Sequence, residues 1–128
     1  MDFITMIFDI KGSRHITNRY EVQMKLIEAI KGCNEKFHDF IASDFLITIG
    51  DEWEGLLKPG ADYRKIIEHF QKMLPPEISF YTGIGIGNIY ITDFELTVNQ
   101  LDGPAFYMAR DALKLAKEHN YRIVVIEV

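Results

Sequence analysis

Short apolar runs alternate with longer amphipathic segments along this chain, and that order limits the folds it can adopt. Runs of about five to eight residues rich in β-branched and aromatic side chains are typical of buried strands, whereas apolar positions spaced by three or four are typical of helices. The pattern predicts strands over residues 3–10, 45–49, 53–57, 77–87 and 121–127. It predicts helices over residues 18–41, 62–73 and 104–119.

The predicted order is β-α-β-β-α-β-α-β, and its first six elements follow the split arrangement of ferredoxin-like domains. We therefore expect an α/β (α+β) fold with a mixed, mainly antiparallel sheet, helices on one face and the last strand at an edge. Residues 88–101 are ambiguous, because Ile89–Ile91 can either extend the fourth strand or belong to a loop. No linker or repeat interrupts the pattern, so residues 1–128 are expected to form a single domain.

Composition narrows the function. The 128 residues are 48% hydrophobic with a net charge of -5 and no run of Lys or Arg, which argues against duplex nucleic acid as a partner. The charge does not exclude a nucleotide, because a metal ion can supply positive charge locally. The single cysteine, Cys33, and the lack of a leader or a membrane-length apolar run favour a cytoplasmic location.

Two acidic residues are expected to meet at one edge of the sheet. Asp9 ends the first strand, and Asp51 lies at the tip of the predicted hairpin; the ferredoxin-like order places these points side by side. Converging carboxylates repel each other without a cation, and Mg²⁺ prefers one or two carboxylates plus water and phosphate oxygens. The pattern therefore predicts a Mg²⁺ or Mn²⁺ site at Asp9 and Asp51, with Glu52 as a third ligand. A simple turn-capping role for Asp51 is the alternative.

Other residues near these acids suit phosphate. Gly12 and Ser13 lie in a turn whose successive backbone N–H groups can bind an anion, and Lys11 and Arg14 add positive charge. An ordinary solvated turn is the alternative. Arg110, in the third predicted helix, can bind a phosphate through two N–H groups or form a surface ion pair.

Alternate glycines at Gly83, Gly85 and Gly87 leave one face of the fourth strand without side chains, at an entropic cost. Some group must approach this backbone closely. A packed helix, a nucleotide base or sugar, and a partner subunit are all open at this point.

Four segments, in this order, resemble the N-terminal domain of SatD-family proteins over the whole chain. They are Phe8–Arg14, Ile49–Leu57, Gly83–Gly87 and Asp102–Arg110. More distantly, they are similar to class III nucleotidyl cyclases, which carry a Phe-x-Asp-Ile-x-Gly motif, a Gly-Asp hairpin and an Ile-Gly-Ile strand. The Gly50–Glu52 turn also resembles the hairpin of GGDEF diguanylate cyclases and of CRISPR polymerase palms. The resemblance implies a palm domain that acts on nucleotides.

The resemblance also implies roles for single residues. Asp9 and Asp51 would hold two metal ions, with the Ile10 carbonyl as a further ligand, and Arg110 would stabilise developing charge. The substrate would be a nucleoside triphosphate whose α-phosphate is attacked by a ribose hydroxyl, with release of pyrophosphate. The product would be a cyclic mononucleotide, a cyclic dinucleotide or a short oligonucleotide. Because related palms act as dimers, a homodimer is implied as well.

Two positions depart from the cyclase pattern. Ile47 replaces a base-reading Lys four residues before the hairpin Asp, and Phe106 replaces a transition-state Asn four residues before the helix Arg. Two main functions are therefore open. One is a metal-dependent nucleotidyl cyclase or cyclic (oligo)nucleotide synthase, and the other is a non-catalytic nucleotide-sensing or regulatory module of the same fold. A purely structural or protein-interaction role is a third.

Overall fold

A computed structural model of the chain describes residues 1–127. The strands and helices follow one another in the predicted order. They are β1 (Phe3–Ile10), α1 (Arg19–Lys36), β2 (Ile41–Ile49), β3 (Glu52–Leu57), α2 (Tyr63–Met73), β4 (Phe80–Gly87), α3 (Pro104–His119) and β5 (Ile123–Glu127).

The strands form one five-stranded sheet in the order β2-β3-β1-β4-β5. β1 pairs antiparallel with both β3 and β4, and β5 pairs parallel with β4 at the edge. This confirms the mixed, mainly antiparallel sheet and the edge position of the last strand. Asp9 lies opposite Glu52 of β3 and Tyr81 of β4, so the end of β1 is at the centre of the sheet and next to the hairpin tip.

The main core lies between one face of the sheet and the helices α1 and α2. Phe8 of β1 stacks on Trp53 of β3 with ring centroids 5.1 Å apart, and Phe70 of α2 packs against both rings. All three side chains are fully buried. Burial of one such side chain stabilises the fold by about 2–3 kcal/mol. This aromatic cluster therefore fixes β1 and β3 side by side, just before the acids at their ends.

Helix α3 packs on the opposite face of the sheet, so the expectation that the helices share one face is wrong. Ile7 of β1 packs with Ala109 and Leu113 of α3 on this side. The glycines of β4 allow the approach, because a Cβ at Gly83 would lie 2.7 Å from Leu113 Cα and a Cβ at Gly85 would collide with the α3 backbone. Close helix packing is thus the confirmed explanation for these two glycines. Both faces of the central strands are covered, which is why β1 is apolar apart from Thr5 and Asp9.

The boundary between α1 and β2 differs from the prediction. The helix ends at Lys36, and a short 3-10 turn at His38–Phe40 leads directly into β2. The strand begins at Ile41, which pairs with Leu57 of β3. Pairing with β3 thus places Ile41 in a strand, although local apolar spacing assigns it to the helix.

The segment after β4 is a loop, so Ile89–Ile91 does not extend the strand. The loop crosses the α3 side of β2 and β3, where Ile89 and Ile91 pack near Leu56 and Val98. It covers only part of that side and leaves a groove beside α3.

Of the helices within residues 1–127, none combines the length and the apolar content that crossing a bilayer requires.

Candidate functional site

An open pocket of about 480 Å³ lies where β1 ends, between the hairpin tip and the C-terminal half of α3. Asp9 and Asp51, from two separate segments, both line it. The backbone N–H of Ile10 donates to the Asp51 carbonyl at 3.3 Å and ties the hairpin tip to β1. The remaining lining residues are Ile10, Gly12, Ser13, Arg14, His15, Tyr81 and Lys117. The two acids therefore share one pocket, as the strand order predicts.

The turn after β1 forms one wall of this pocket. Gly12 has a left-handed backbone with φ of 58°, a conformation that favours glycine, and it leads into a 3-10 turn at Ser13–His15. The Arg19 guanidinium donates to the Ser13 carbonyl at 2.7 Å, which ties the turn to the start of α1. Gly12, Ser13 and Arg14 thus lie at the pocket. Lys11 does not line it, because its ammonium lies over the Tyr81 ring, 4.8 Å from the centroid.

Asp9 is already paired with a cation. The Lys117 ammonium donates to Asp9 Oδ2 at 2.6 Å, and only 14% of the Asp9 side chain is exposed. Burial raises the pKa of the Asp9 carboxyl, and the hydrogen bond and charge of Lys117 offset only part of that effect. The bond to Asp9 in turn raises the pKa of Lys117. The pocket therefore holds a carboxylate that is costly to ionise without a nearby positive charge.

Glu52 is engaged in a second ion pair. The Arg110 guanidinium donates to both carboxylate oxygens, at 2.7 and 3.0 Å, and the Thr48 hydroxyl donates to Glu52 Oε2 at 2.9 Å. Burial alone would raise the pKa of Glu52, but these hydrogen bonds outweigh it and lower the pKa. Of the two interpretations of Arg110, an ion pair is thus present, while phosphate binding stays a prediction.

The donor set suits a hard cation only in part. Asp9, Asp51 and Ile10 line the same pocket, and two carboxylates with a carbonyl match the oxygen ligands that Mg²⁺ takes beside water and phosphate. Glu52 lines the neighbouring groove instead. Across residues 1–127 no three His, Cys, Asp or Glu side chains are grouped closely enough to hold a metal ion by themselves. Water and phosphate oxygens would have to complete the coordination.

The neighbouring groove lies between the β2–β3 hairpin and the N-terminal half of α3, with a volume of about 600 Å³. Glu54 lines it and is only 7% exposed. Burial raises the pKa of Glu54 to about 7, and the charge of Arg110 counters only part of this. The groove therefore contains a buried acid whose ionisation is disfavoured by its surroundings.

Sequence reasoning missed Lys117 and Glu54, although their spacing carried a signal. Lys117 follows Arg110 by seven residues, or two helical turns, so both cations lie on one side of α3. Glu54 follows Glu52 by two residues in a strand, so both acids face α3. Asp9 and Glu52 are thus both paired with cations of helix α3.

Solved structures of nucleotide cyclase domains share this fold. The GGDEF domain of YfiN from Pseudomonas aeruginosa matches with a TM-score of 0.64 at 15% identity, covering 99% of this chain and 83% of that one. A bacterial light-regulated adenylyl cyclase matches at 0.59 and 12% identity, covering 97% and 74%. The guanylyl cyclase domain of the RhoGC fusion protein from Blastocladiella emersonii matches at 0.58 and 13%, covering 88% and 73%. At such identities the likeness concerns the fold alone.

The chain has the fold of the nucleotidyl-cyclase palm class. Within that class the chain belongs to the SatD family, whose family model matches residues 3–127. A search of curated protein sequences found no significant match.

Proposed function

We propose that the pocket at the end of β1 binds the phosphates of a nucleoside triphosphate together with Mg²⁺ or Mn²⁺, and that the domain acts as a nucleotidyl cyclase or cyclic (oligo)nucleotide synthase. One observation carries this proposal: Asp9 and Asp51 line the same pocket as the Gly12–Ser13 turn. The carboxylates can bind a cation, and the backbone N–H groups of the turn can bind an anion. A phosphate group with its metal ion needs both kinds of partner.

Asp9, Asp51 and the Ile10 carbonyl would hold the ion. When bound, the ion supplies positive charge that offsets the phosphate charge and polarises a phosphoryl oxygen. Lys117 now balances Asp9, and an entering phosphate would compete for its ammonium. Glu52 would join the ligands only after Arg110 turned from it to a phosphate.

A non-catalytic nucleotide-sensing module is the second candidate, and two observations favour it. Arg110 and Lys117 both form ion pairs with acids, so neither cation is free to act on a substrate without rearrangement. Phe106 lines the groove where the cyclase pattern has an Asn, and its ring offers no hydrogen bond to a transition state.

The test combines binding with turnover. The purified protein is titrated calorimetrically with each nucleoside triphosphate, with MgCl₂, MnCl₂ or EDTA, and pyrophosphate release is followed in parallel. We expect binding to need the divalent ion and to weaken at least about tenfold in Asp9→Asn and in Asp51→Asn, since each variant loses a charged ligand. Asp39→Asn is the control, because Asp39 is an exposed acid on the 3-10 turn before β2.

Each outcome separates the candidates. Pyrophosphate release that both pocket variants abolish supports the enzyme, whereas metal-dependent binding without release supports the sensing module. If no triphosphate binds more tightly with the ion than with EDTA, the proposed site is wrong. Sedimentation with and without nucleotide tests the homodimer that the cyclase resemblance implies.

A further inference from the structure

Glu54 is a buried acid without a partner. It lies on β3 between Ile7 of β1 and Leu46 of β2 in the strand ladder and is 7% exposed. No hydrogen bond to its carboxyl group is present within residues 1–127. The fully enclosed side-chain atoms without a partner in the described part of the chain are Thr5 Oγ1, Trp53 Nε1 and Thr82 Oγ1, so the Glu54 oxygens are still reached from the groove. A ligand with hydrogen-bond donors in the groove would therefore meet an acceptor that no side chain occupies.

Thr48, Asn99 and Tyr107 carry donors in the groove lining, but within residues 1–127 none of them donates to the Glu54 carboxyl group, and the Thr48 hydroxyl donates to Glu52 instead. Arg110 is the cation whose charge partly offsets the rise in the pKa of Glu54 that burial causes, but its guanidinium is bound to both oxygens of Glu52. The other titratable groups that line the groove are Tyr107 and Asp111 of α3. β1, β2 and the loop after β4 contribute no titratable side chain to the lining. The carboxyl group is thus directed at the open groove.

The groove combines apolar walls with polar side chains, which suits a flat heterocycle with a polar edge. The apolar side chains that line it are Ile7, Ile49, Val98, Leu101 and Phe106, and the Tyr107 ring lies beside them. The polar side chains that line it are Thr48, Glu52, Glu54, Asn99, Arg110 and Asp111. Aromatic side chains also provide faces on which a base can stack.

Three acids line the groove, but Glu52 is bound to Arg110 and Asp111 is exposed, so the buried Glu54 carboxylate is the one that would select a base. An ionised carboxylate only accepts hydrogen bonds, and it can accept two side by side. Guanine presents two adjacent donors, N1–H and the 2-amino group. Adenine presents a donor next to an acceptor, which a carboxylate cannot satisfy.

We propose that this groove binds the guanine base of a nucleotide, with the Glu54 carboxylate accepting from N1–H and from the 2-amino group. The inference rests on the proposed function, because the phosphates of the same nucleotide would lie in the adjacent pocket. Glu52, opposite Asp9 in the ladder, precedes Glu54 by two residues. The base site thus begins roughly 7 Å along β3 from the acid at the end of β1.

The test compares GTP, ITP and ATP, each with MgCl₂, by calorimetric titration. ITP keeps N1–H but lacks the 2-amino group. We expect GTP to bind roughly 10- to 100-fold more tightly than ATP, with ITP between them, which is the discrimination that one paired polar edge supplies. In Glu54→Gln the side chain offers one acceptor and one donor, which matches adenine, so the preference for GTP should disappear or reverse. Glu35→Gln, an exposed change on α1 across the sheet, should leave it unchanged.

The failures can be told apart. If triphosphates bind with Mg²⁺ but without base preference, or if Glu54→Gln keeps the preference for GTP, this inference is overturned while the proposed function stands. A uniform weakening of all three nucleotides in Glu54→Gln would assign Glu54 a structural role and also overturns it. If no triphosphate binds to the unmodified chain, both proposals fail together.

Discussion

Replacing Gly85 by alanine tests the contact on which the position of α3 depends. A Cβ at Gly85 would overlap the Ala105 carbonyl oxygen and the Ala109 nitrogen and lie 3.0 Å from the Met108 carbonyl carbon. All three atoms belong to helix backbone, which cannot turn aside as a side chain can. Overpacking costs about 1–3 kcal/mol, and we expect the upper part of that range, less a few tenths for the reduced freedom of the unfolded chain.

The chain contains a matched control with the opposite expected sign. Gly32 lies within α1, and a Cβ there would meet the His69 ring at 3.5 Å, an ordinary contact. Since alanine is favoured over glycine in a helix by about 0.5–1 kcal/mol, Gly32→Ala should stabilise the domain.

Urea unfolding measures the free energy of unfolding of both variants. In thermal unfolding, the Tm of Gly85→Ala should lie roughly 10 °C below that of the unmodified protein. Because α3 carries Arg110 and Lys117, we also expect Gly85→Ala to weaken the proposed nucleotide binding. The reasoning is refuted if Gly85→Ala unfolds within about 0.5 kcal/mol of the unmodified chain, or if it stabilises the protein as Gly32→Ala is expected to do.

Two predictions concern charge. In Lys117→Met the pKa of Asp9 should rise further, because the ammonium that lowers it is lost; carboxyl ¹³C NMR titration measures this, and an unchanged Asp9 pKa would show that the ion pair is absent in solution. For Glu54, the pKa of the folded state is raised from 4.5 to about 7, so the folded state holds the proton more tightly and loses stability as the pH rises through that window. The loss is about 3 kcal/mol at most. Urea unfolding between pH 5 and pH 8 measures this loss of stability, which Glu54→Gln should not show and Glu35→Gln should. If the stability of the two variants depends equally on pH, the loss does not come from Glu54.

Much of the fold follows from local apolar spacing. The strand limits of β1 and the limits of α3 agree with the sequence prediction. The start of β2 at Ile41 does not, because it depends on pairing with Leu57 of β3, sixteen residues further along. Amphipathic spacing shows which side of a helix is apolar but not which face of the sheet receives it. The evidence for two covered faces was nonetheless present in the mainly apolar sequence of β1 and in Gly83 and Gly85.

The site could be predicted only in outline. The strand order alone brings Asp9 and Asp51 to one place, which is why these acids could be found from sequence. Lys117 looks like an ordinary solvated cation at the end of a helix, and only its contact with Asp9 distinguishes it. Glu54 looks like one polar residue in a strand, and its burial depends on α3 and the loop after β4. Such properties arise from packing between segments, which no local pattern reports.

Arg110 and Lys117 belong to one rigid element, two turns or about 10 Å apart along α3. A helix moves as a body, so a small slide or tilt of α3 alters the distances to Glu52 and Asp9 together. A displacement of α3 that breaks one ion pair would therefore change the geometry of the other. The β2–β3 hairpin and the end of the central strand β1 would then respond to the same movement of the helix.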